Sequence, residues 1–159
     1  ITQETDPADS LLVYRNTEKV QAHGVELELE GKLAKRLNGR VSYAYQNSVN
    51  TVTGAALTNS PRQMAKLNLS TPLWDTRLNA GVELEYLDRR RTKGNNYAGG
   101  YTVANLTLSG RPWHKRLELS AGVYNLFAKE YADPASRAHT QDVIQQDGRQ
   151  YRLKLKLDI

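Results

Sequence analysis

Apolar and polar side chains alternate strictly along much of this chain, most clearly in its last residues. Large apolar residues stand at 151, 153, 155, 157 and 159, and charged residues fill the positions between them. Successive side chains of a β-strand point to opposite faces, so a period of two predicts a strand with one apolar and one charged face. The same pattern recurs in 25–30, 40–46, 78–86 and 117–123.

Taken together, these patterns predict about eight strands and no long helix, because no segment keeps apolar residues at helical spacing. The predicted strands are 11–16, 20–33, 38–48, 63–72, 77–88, 101–111, 116–127 and 149–159. The predicted fold is all-β, with antiparallel strands that run up and down in sequence order.

The connections between these strands alternate in length. The long ones are 49–62, 89–100 and 128–148, and the short ones are 34–37, 73–76 and 112–115. Short turns on one rim and long loops on the other are typical of transmembrane β-barrels of the outer membrane. The connection 17–19 breaks the rule, because it is short but falls on the long-loop side.

Aromatic residues mark both predicted rims. Trp74 and Trp113 lie in short turns, whereas Tyr45, Tyr86 and Phe127 fall near the opposite strand ends. Amphipathic aromatic rings favour the membrane–water interface, so we predict two interfacial girdles. The alternative is that aromatic residues simply favour strand ends and turns.

The composition is consistent with a transmembrane β-barrel. The chain is only 39% hydrophobic, carries a net charge of +5 and has no cysteine. Barrel strands are half apolar, so a low mean hydropathy is expected of them. Without cysteine there is no disulfide and no thiolate metal site. Basic charge with tyrosines also suits nucleic acid, but the tyrosines alternate with the polar face rather than with basic residues, so we predict no nucleic-acid partner.

No catalytic constellation is present in the sequence. His23, His114 and His139 are far apart and lack metal-ligand spacing. There is neither a Gly-rich phosphate loop before a helix nor a nucleophile elbow. We therefore predict no enzyme activity, no bound metal and no cofactor.

Four segments carry a more specific signal. They are NTEKVQAHGVELE at 16–28, NSPR at 59–62 followed by KLNL at 66–69, YTVANLTL at 101–108, and VYNLFAKEYADP at 123–134. In this order and spacing they resemble the C-terminal part of the barrel of TonB-dependent outer-membrane receptors, over essentially the whole chain. Two positions depart from the family pattern: Ala128 replaces an Asp, and the chain ends in Ile159 where the family usually ends in Phe.

The resemblance implies a function and a set of partners. Such barrels have about 22 strands and a plugged lumen, so residues 1–159 would form roughly the last third of the wall. We expect the plug domain, with its TonB-contacting segment, to be absent from this chain, and the chain to be a piece of a longer protein. The implied role is uptake of a scarce ligand, typically a ferric siderophore or similar metal chelate, across the outer membrane of a Gram-negative bacterium. The implied partners are the plug, the remaining strands, TonB through the plug, and outer-membrane lipid and lipopolysaccharide.

The same frame assigns roles to the two strand faces. Apolar positions would face lipid, and the charged and polar positions would face the lumen and plug. The lumen-facing set is Glu26, Glu28, Glu30, Arg40, Lys66, Glu83, Glu85, Asn105, Glu118, Arg152, Lys154 and Lys156. Opposite charges on neighbouring strands, such as Glu118 beside the row 152–156, are expected to form cross-strand pairs.

One charge cluster opens a long loop on the presumed outer rim. Arg89, Arg90, Arg91 and Lys93 would hold lipopolysaccharide phosphates or an anionic ferric ligand through charge-assisted bonds. The alternative is an ordinary solvated loop. His139 and Asp142, in the last long loop, are added as candidate ligand contacts.

Two other classes of protein remain open on the sequence. One is a self-contained eight-stranded outer-membrane barrel with a structural or adhesion role, because eight strands can close a barrel. The other is a soluble β-barrel that binds a small ligand inside. A plug encoded upstream would favour the receptor, and solubility without detergent would favour the soluble barrel.

Overall fold

A computed structural model of the chain describes residues 2–15, 19–73, 77–111, 113 and 116–158. Over these residues the secondary structure consists of strands, turns and loops. The predicted all-β, antiparallel fold is therefore confirmed. No helix in the described ranges is long and apolar enough to cross a membrane.

A seven-stranded main sheet dominates the structure. Its strands are β3 (Val20–Ala34), β4 (Leu37–Asn50), β5 (Gln63–Leu73), β6 (Leu78–Leu87), β9 (Tyr101–Gly110), β10 (Leu117–Tyr124) and β13 (Gln150–Leu157). The remaining strands form short pairs: β1 (Thr2–Thr5) with β2 (Leu12–Arg15), β7 (Arg90–Arg91) with β8 (Tyr97–Ala98), and β11 (Ala132–Pro134) with β12 (Val143–Gln145).

The main sheet is an antiparallel meander in the order β13-β10-β9-β6-β5-β4-β3. Every strand therefore lies beside its neighbour in the chain, as an up-and-down fold requires. The sheet is open, with β3 and β13 at its edges. Because the number of strands is odd, these two edge strands run in the same direction.

The first predicted strand, 11–16, is not part of the main sheet. It corresponds to β2, which pairs only with β1, from Thr2 opposite Arg15 to Thr5 opposite Leu12. The hairpin closes locally, because the backbone N–H groups of Asp6 and Ser10 donate to Leu11 and Asp6 at 2.8 and 2.9 Å, and a short loop costs little closure entropy. All eight predicted strands are therefore present in the structure, and seven of them form the main sheet. Connection 17–19 lies largely outside the described residues.

The predicted asymmetry of the connections is confirmed where the connections are described; the predicted short connections 73–76 and 112–115 lie largely outside the described residues. β3 and β4 are joined across 35–36, where Ala34 stands opposite Leu37. The long loops are 51–62, 88–100 and 125–149. We call the end of the sheet that carries them the long-loop rim, and the opposite end the short-turn rim.

The strand predicted at 116–127 is too long at its end. β10 stops at Tyr124, because Asn125 takes a left-handed φ of 51°. A residue in that region turns the chain out of an extended strand. The other main strands begin and end within about two residues of the predicted positions, as is usual for boundaries read from sequence.

Register divides the main sheet into two uniform faces. The apolar face consists of the odd-numbered residues of β3, β4, β5, β10 and β13 and the even-numbered residues of β6 and β9. The polar face consists of the alternate residues. One row across the apolar face reads Leu29, Val41, Leu67, Leu84 and Ala104.

Cross-strand rows also show that the strands are staggered. The row that contains Gly31, close to the short-turn end of β3, reaches Tyr151, close to the long-loop end of β13. Neighbouring strands are therefore displaced along their length. This displacement is the shear that tilts the strands of a barrel relative to its axis.

Burial is concentrated where the long loops meet β9. The described residues that are buried there include Arg90, Thr92, Ala98, Val103, Ala104, Asn125 and Ala135. By contrast, every described position of β3 is exposed. The compact part of this chain is therefore the cluster formed by loops 51–62, 88–100 and 125–149, which we call the loop cluster. Both faces of the sheet beside it are exposed.

Candidate functional site

The polar face of the main sheet brings together every residue predicted to face the lumen. A continuous row crosses five strands as Glu30, Arg40, Asn68, Glu83 and Asn105. Arg152, Lys154 and Lys156 extend the same face onto β13. The sequence pattern alone could place these side chains together, because register follows from the apolar alternation.

Opposite charges pair across neighbouring strands of this face. Arg40 Nη2 lies 2.8 Å from Glu28 Oε2, and Lys66 Nζ lies 3.4 Å from Glu85 Oε1. Three of these side chains are about half exposed and Glu85 is 29% exposed, so each pair contributes little free energy by itself. Their alternation instead keeps the net charge of the face low.

The cross-strand pair expected at Glu118 has a different partner. Glu118 stands directly opposite Lys156 in the register. Its carboxylate, however, lies 3.3 Å from Arg111 Nη2, and the same nitrogen lies 3.3 Å from Asp158. Lys156 instead pairs with Asp158 at 3.1 Å. The predicted neighbourhood is right, and the ion pair forms with an arginine just beyond β9.

Arg90 joins three separate loops through one buried guanidinium. Only 6% of the residue is exposed. Nη1 donates to Asn59 Oδ1 at 3.1 Å, and Nη2 donates to Asp133 Oδ1 at 2.5 Å and to the carbonyl of Ala132 at 3.4 Å. Nε is buried without a hydrogen-bond partner among the described residues. Arg90 was predicted to bind a ligand, but both terminal nitrogens of its planar guanidinium form hydrogen bonds within the protein.

The neighbouring cations of the run also contact other loops. Arg91 Nη1 donates to the carbonyl of Ala56 at 2.9 Å, and Arg91 O accepts the backbone N–H of Asn59 at 2.9 Å. Lys93 Nζ donates to the carbonyl of His139. These contacts connect loop 88–100 to 51–62 on one side and to 125–149 on the other.

Asp142 lies at the second junction of the loops. Its carboxylate accepts the hydroxyl of Thr92 at 2.6 Å, the backbone N–H of Gly94 at 2.7 Å and the side-chain amide of Asn96 at 3.3 Å. The Thr92 and Gly94 hydrogen bonds lower the pKa of the Asp142 carboxyl below its ordinary value. A Cβ atom added at Gly94 would lie 2.8 Å from Asp142 Oδ1, so the glycine permits the close approach.

Two of the predicted ligand contacts lie on the outer surface of the cluster. Arg89 is exposed, and its guanidinium stands over the ring of Tyr97, 4.9 Å from the centroid. His139 is also exposed. Tyr97 is 55% exposed and was not predicted as a site residue. Exposed cationic and aromatic groups side by side suit an anionic or aromatic ligand.

A pair of tyrosines beneath the cluster was also missed by the sequence reasoning. The rings of Tyr101 and Tyr131 have centroids 4.2 Å apart, and the Arg90 guanidinium lies 5.8 Å from the centroid of Tyr101. Burial, and then the charge of Asp133, raise the pKa of Tyr131 above its ordinary value. The available signal was the tyrosine that closes the motif at 123–131.

Asn125 explains why that motif carries an asparagine. Its side chain donates to Lys129 O at 2.8 Å and accepts the Lys129 N–H at 2.8 Å. Its backbone N–H donates to Asn105 Oδ1 at 2.9 Å, and Asn105 in turn donates to Glu83 at 2.7 Å. One hydrogen-bonded chain thus runs from the polar face of β6 into the last long loop.

Four of the five predicted interface aromatics lie in the described part of the chain. Tyr45 and Tyr86 are on the apolar face towards the long-loop rim and are 41% and 36% exposed. Phe127 lies just beyond β10, and Trp113 lies in a short turn; both are exposed. Trp74 lies outside the described residues.

Within the described part of the chain, acidic and histidine side chains do not cluster as a metal site. Among the described residues, no group of three or more such side chains is arranged to hold a metal ion. The chemistry available at the loops is therefore hydrogen bonding, charge and aromatic stacking.

Comparison with known families identifies the chain. The family "TonB dependent receptor-like, beta-barrel" matches residues 1–126. The chain belongs to this family. None of the curated protein sequences compared with it matches.

Solved structures of this family share the fold. The ferric preacinetobactin receptor BauA from Acinetobacter baumannii is 16% identical, with a TM-score of 0.78 over 99% of this chain and 25% of its own. The ferric yersiniabactin uptake receptor FyuA from Yersinia pestis is 20% identical, with a TM-score of 0.74 over 91% and 24% of the two chains. The copper transporter OprC is 21% identical, with a TM-score of 0.72 over 88% and 24%. The chain thus spans about a quarter of the length of these structures.

Proposed function

We propose that this chain is the C-terminal portion of the barrel of an outer-membrane receptor of a Gram-negative bacterium. In the proposal, residues 1–159 supply barrel wall and outer loops, and the plug domain is not part of the chain. The complete receptor takes up a scarce ligand, a ferric siderophore or a similar metal chelate. TonB acts through the plug, so energy coupling does not use these residues.

The observation that carries the proposal is the apolar face of the main sheet. It holds large side chains on all seven strands, and many are strongly exposed: Val25, Leu27, Leu29, Leu33, Val41, Leu73, Val82, Leu84, Leu106, Leu153, Leu155 and Leu157. A contiguous apolar surface of this extent is not stable against water. Lipid tails cover it without requiring a second layer of protein.

The polar face supports a lumen role for its residues. A plugged barrel needs an inner wall that contacts a protein domain and water, and charged pairs such as Arg40 with Glu28 suit that wall. A cavity of about 560 Å³ lies over this face and is lined by residues that include Arg40, Glu83 and Asn105. We propose that the plug contacts this surface.

The sheet edges argue for further strands from the same receptor. A self-contained eight-stranded barrel would pair its first strand with its last in antiparallel fashion. Here the edge strands β3 and β13 run in the same direction, and single-chain bacterial barrels have an even number of strands. In lipid the unpaired backbone groups of both edges would be costly. The receptor therefore supplies partner strands on both sides.

The third class, a soluble barrel with a ligand inside, needs the opposite distribution of side chains. Its apolar face would line the interior, and the charged face would meet water. The ends of the meander would then have to close around the apolar face. The open sheet, with β3 exposed at every described position, favours the membrane.

Iron chelates are the proposed cargo because two of the structural relatives described above are named for ferric ligands. The alternative cargo is copper, since another relative is a copper transporter. On this chain we propose that the ligand contacts Arg89, Tyr97 and His139. The residues that hold the loops in place are Arg90, Arg91, Lys93 and Asp142. Lipopolysaccharide phosphates are the second proposed partner of the exposed cations.

The test uses the gene that contains this chain. We expect its product in the outer-membrane fraction and soluble only with detergent. Deletion should impair growth when iron is withheld by 2,2′-bipyridyl, and the intact gene should restore growth only in cells with functional TonB. Restoration without TonB, or a product that is soluble without detergent, would overturn the proposal. A defect confined to copper limitation would overturn the iron cargo alone.

A further inference from the structure

Three long loops meet at a single buried side chain. Arg90 belongs to loop 88–100, yet it binds loop 51–62 through Asn59 and loop 125–149 through Ala132 and Asp133. Residues separated by 31 and 43 positions in sequence are thus held by one guanidinium. Its two terminal nitrogens point to different loops, so neither loop can leave without breaking a charge-assisted hydrogen bond.

Two further sets of contacts connect the same loops without using the Arg90 side chain. Thr58 forms a β-bridge with Arg91, and the Asn59 N–H donates to Arg91 O at 2.9 Å. Asp142 of the third loop accepts hydrogen bonds from Thr92 and Gly94 of the second at 2.6 and 2.7 Å. Loop 88–100 is therefore attached to both of the other loops by contacts additional to those of Arg90.

We propose that loops 51–62, 88–100 and 125–149 open and close as one unit, with Arg90 as the residue that couples them. Moving any one loop strips partners from a buried charge, and a buried charge left without partners is strongly unfavourable. The cost of opening one loop is therefore reduced if the others open with it, which is the condition for a cooperative local unit. The three loops on this side of the barrel then move together rather than independently.

The inference goes beyond the proposed function, because it concerns motion and not cargo. It holds whether the loops bind an iron chelate, a copper complex or lipopolysaccharide. Its test therefore needs no ligand, and failure of the proposed cargo would leave it standing.

The decisive experiment is amide hydrogen exchange on the complete receptor in a lipid bilayer, with Arg90→Ala compared to wild type. Three amides report on the loops: Asn59 on the first, Gly94 on the second and Ala135 on the third. We expect all three to exchange at least about tenfold faster in the variant, which matches the loss of hydrogen bonds to a charged group. Arg89→Ala is the matched control, because Arg89 is exposed and its guanidinium stacks on Tyr97 within the same loop. It should leave the three rates unchanged.

A local effect would overturn the coupling. If Arg90→Ala speeds exchange only within 88–100, the loops are independent. Should that variant fail to assemble, Asp133→Asn keeps the size of the partner and removes its charge. The coupling predicts faster exchange at Asn59, in a loop that Asp133 does not belong to, and acceleration confined to the third loop would contradict it.

Discussion

The main sheet and the loop cluster of this chain are stabilised in opposite ways. In the sheet every strand pairs with its neighbour in the chain, and the large apolar side chains are on an exposed face. In the loop cluster the contacts join residues 31, 43 and 50 positions apart, and the buried groups include Arg90 and Thr92. One region is apolar outside, and the other is polar inside.

This difference shows which surroundings each region requires. Exposed leucine rows are stable when hydrocarbon covers them, whereas a buried arginine with a carboxylate partner needs its hydrogen bonds intact. The long-loop rim, near Tyr45 and Tyr86, is where the two kinds of stabilisation meet. The predictions below test whether each region has the surroundings that this comparison assigns to it.

The largest effect is expected from a charge placed on the apolar face. Leu67→Arg, in the inner strand β5, should destabilise the complete receptor in a bilayer by about 2–4 kcal/mol, because a charge near the bilayer midplane of a barrel costs that much. The measurement is denaturant unfolding of the receptor in lipid vesicles. The matched control is Asn68→Arg, one residue along on the polar face, for which we expect a cost well below that of Leu67→Arg.

Equal costs for the two substitutions would contradict the claim that the two faces of the main sheet have different surroundings. The sheet would then have the same surroundings on both faces. A larger cost for Asn68→Arg would indicate that the polar face, and not the apolar face, is the one withdrawn from water.

A smaller effect is expected in the loop cluster from Thr92→Val. The substitution keeps the side-chain shape but removes the hydroxyl that donates to Asp142 at 2.6 Å. We expect a local loss of about 1–3 kcal/mol. It should appear in the exchange of the Thr92 amide, which is bonded to Asn96 O at 2.9 Å. Thr102→Val, at an exposed position of β9, is the control and should leave this exchange rate unchanged.

The sheet was predictable from sequence because its rule is local. Alternation fixed the faces of β3, β5 and β13, and turn lengths fixed their order. The strand predicted at 11–16 exists as β2, but its partner was not predictable, because alternation indicates that a strand exists and not which strand it pairs with. Its true partner, β1, has no clear alternation of its own.

The loop cluster was predictable only as a set of residues. The run at 89–93 and the pair His139 and Asp142 were singled out as ligand contacts, and the structure brings them together. What the sequence did not show is that Arg90 is buried against Asn59 and Asp133. Contacts between residues this far apart depend on how three loops fold over β9, and no periodic pattern encodes that.

Hydrogen exchange in the loop cluster should depend on pH through Asp142. The pKa of Asp142 is below its ordinary value of 3.8 in the folded loop. The contact with Thr92 is therefore at full strength above that pH and weakens as the pH falls through the lowered pKa. Exchange protection of the Gly94 amide, corrected for the intrinsic rate at each pH, should fall in this acid range. In Asp142→Asn the same protection should be lower at neutral pH and show no such fall.

The smallest effect is expected from an ion pair on the polar face. Lys66 and Glu85 are 3.4 Å apart, with side chains 51% and 29% exposed. A double-mutant cycle with Lys66→Met and Glu85→Gln should give a coupling energy of about 0.2–1 kcal/mol. A much larger coupling would mean that the polar face is dry, contrary to a lumen that contacts water and plug.

The most direct test of the central claim follows accessibility along one strand. Because the chain has no cysteine, single cysteines can be placed at 64–71 of β5 in a receptor made otherwise cysteine-free. They are then spin-labelled and exposed in bilayers to oxygen, which partitions into lipid, and to a water-soluble nickel chelate. The account predicts a period of two, with odd positions such as Leu67 more accessible to oxygen and less accessible to the chelate than even positions such as Asn68. Equal access of the chelate to both sets would contradict a membrane-facing wall.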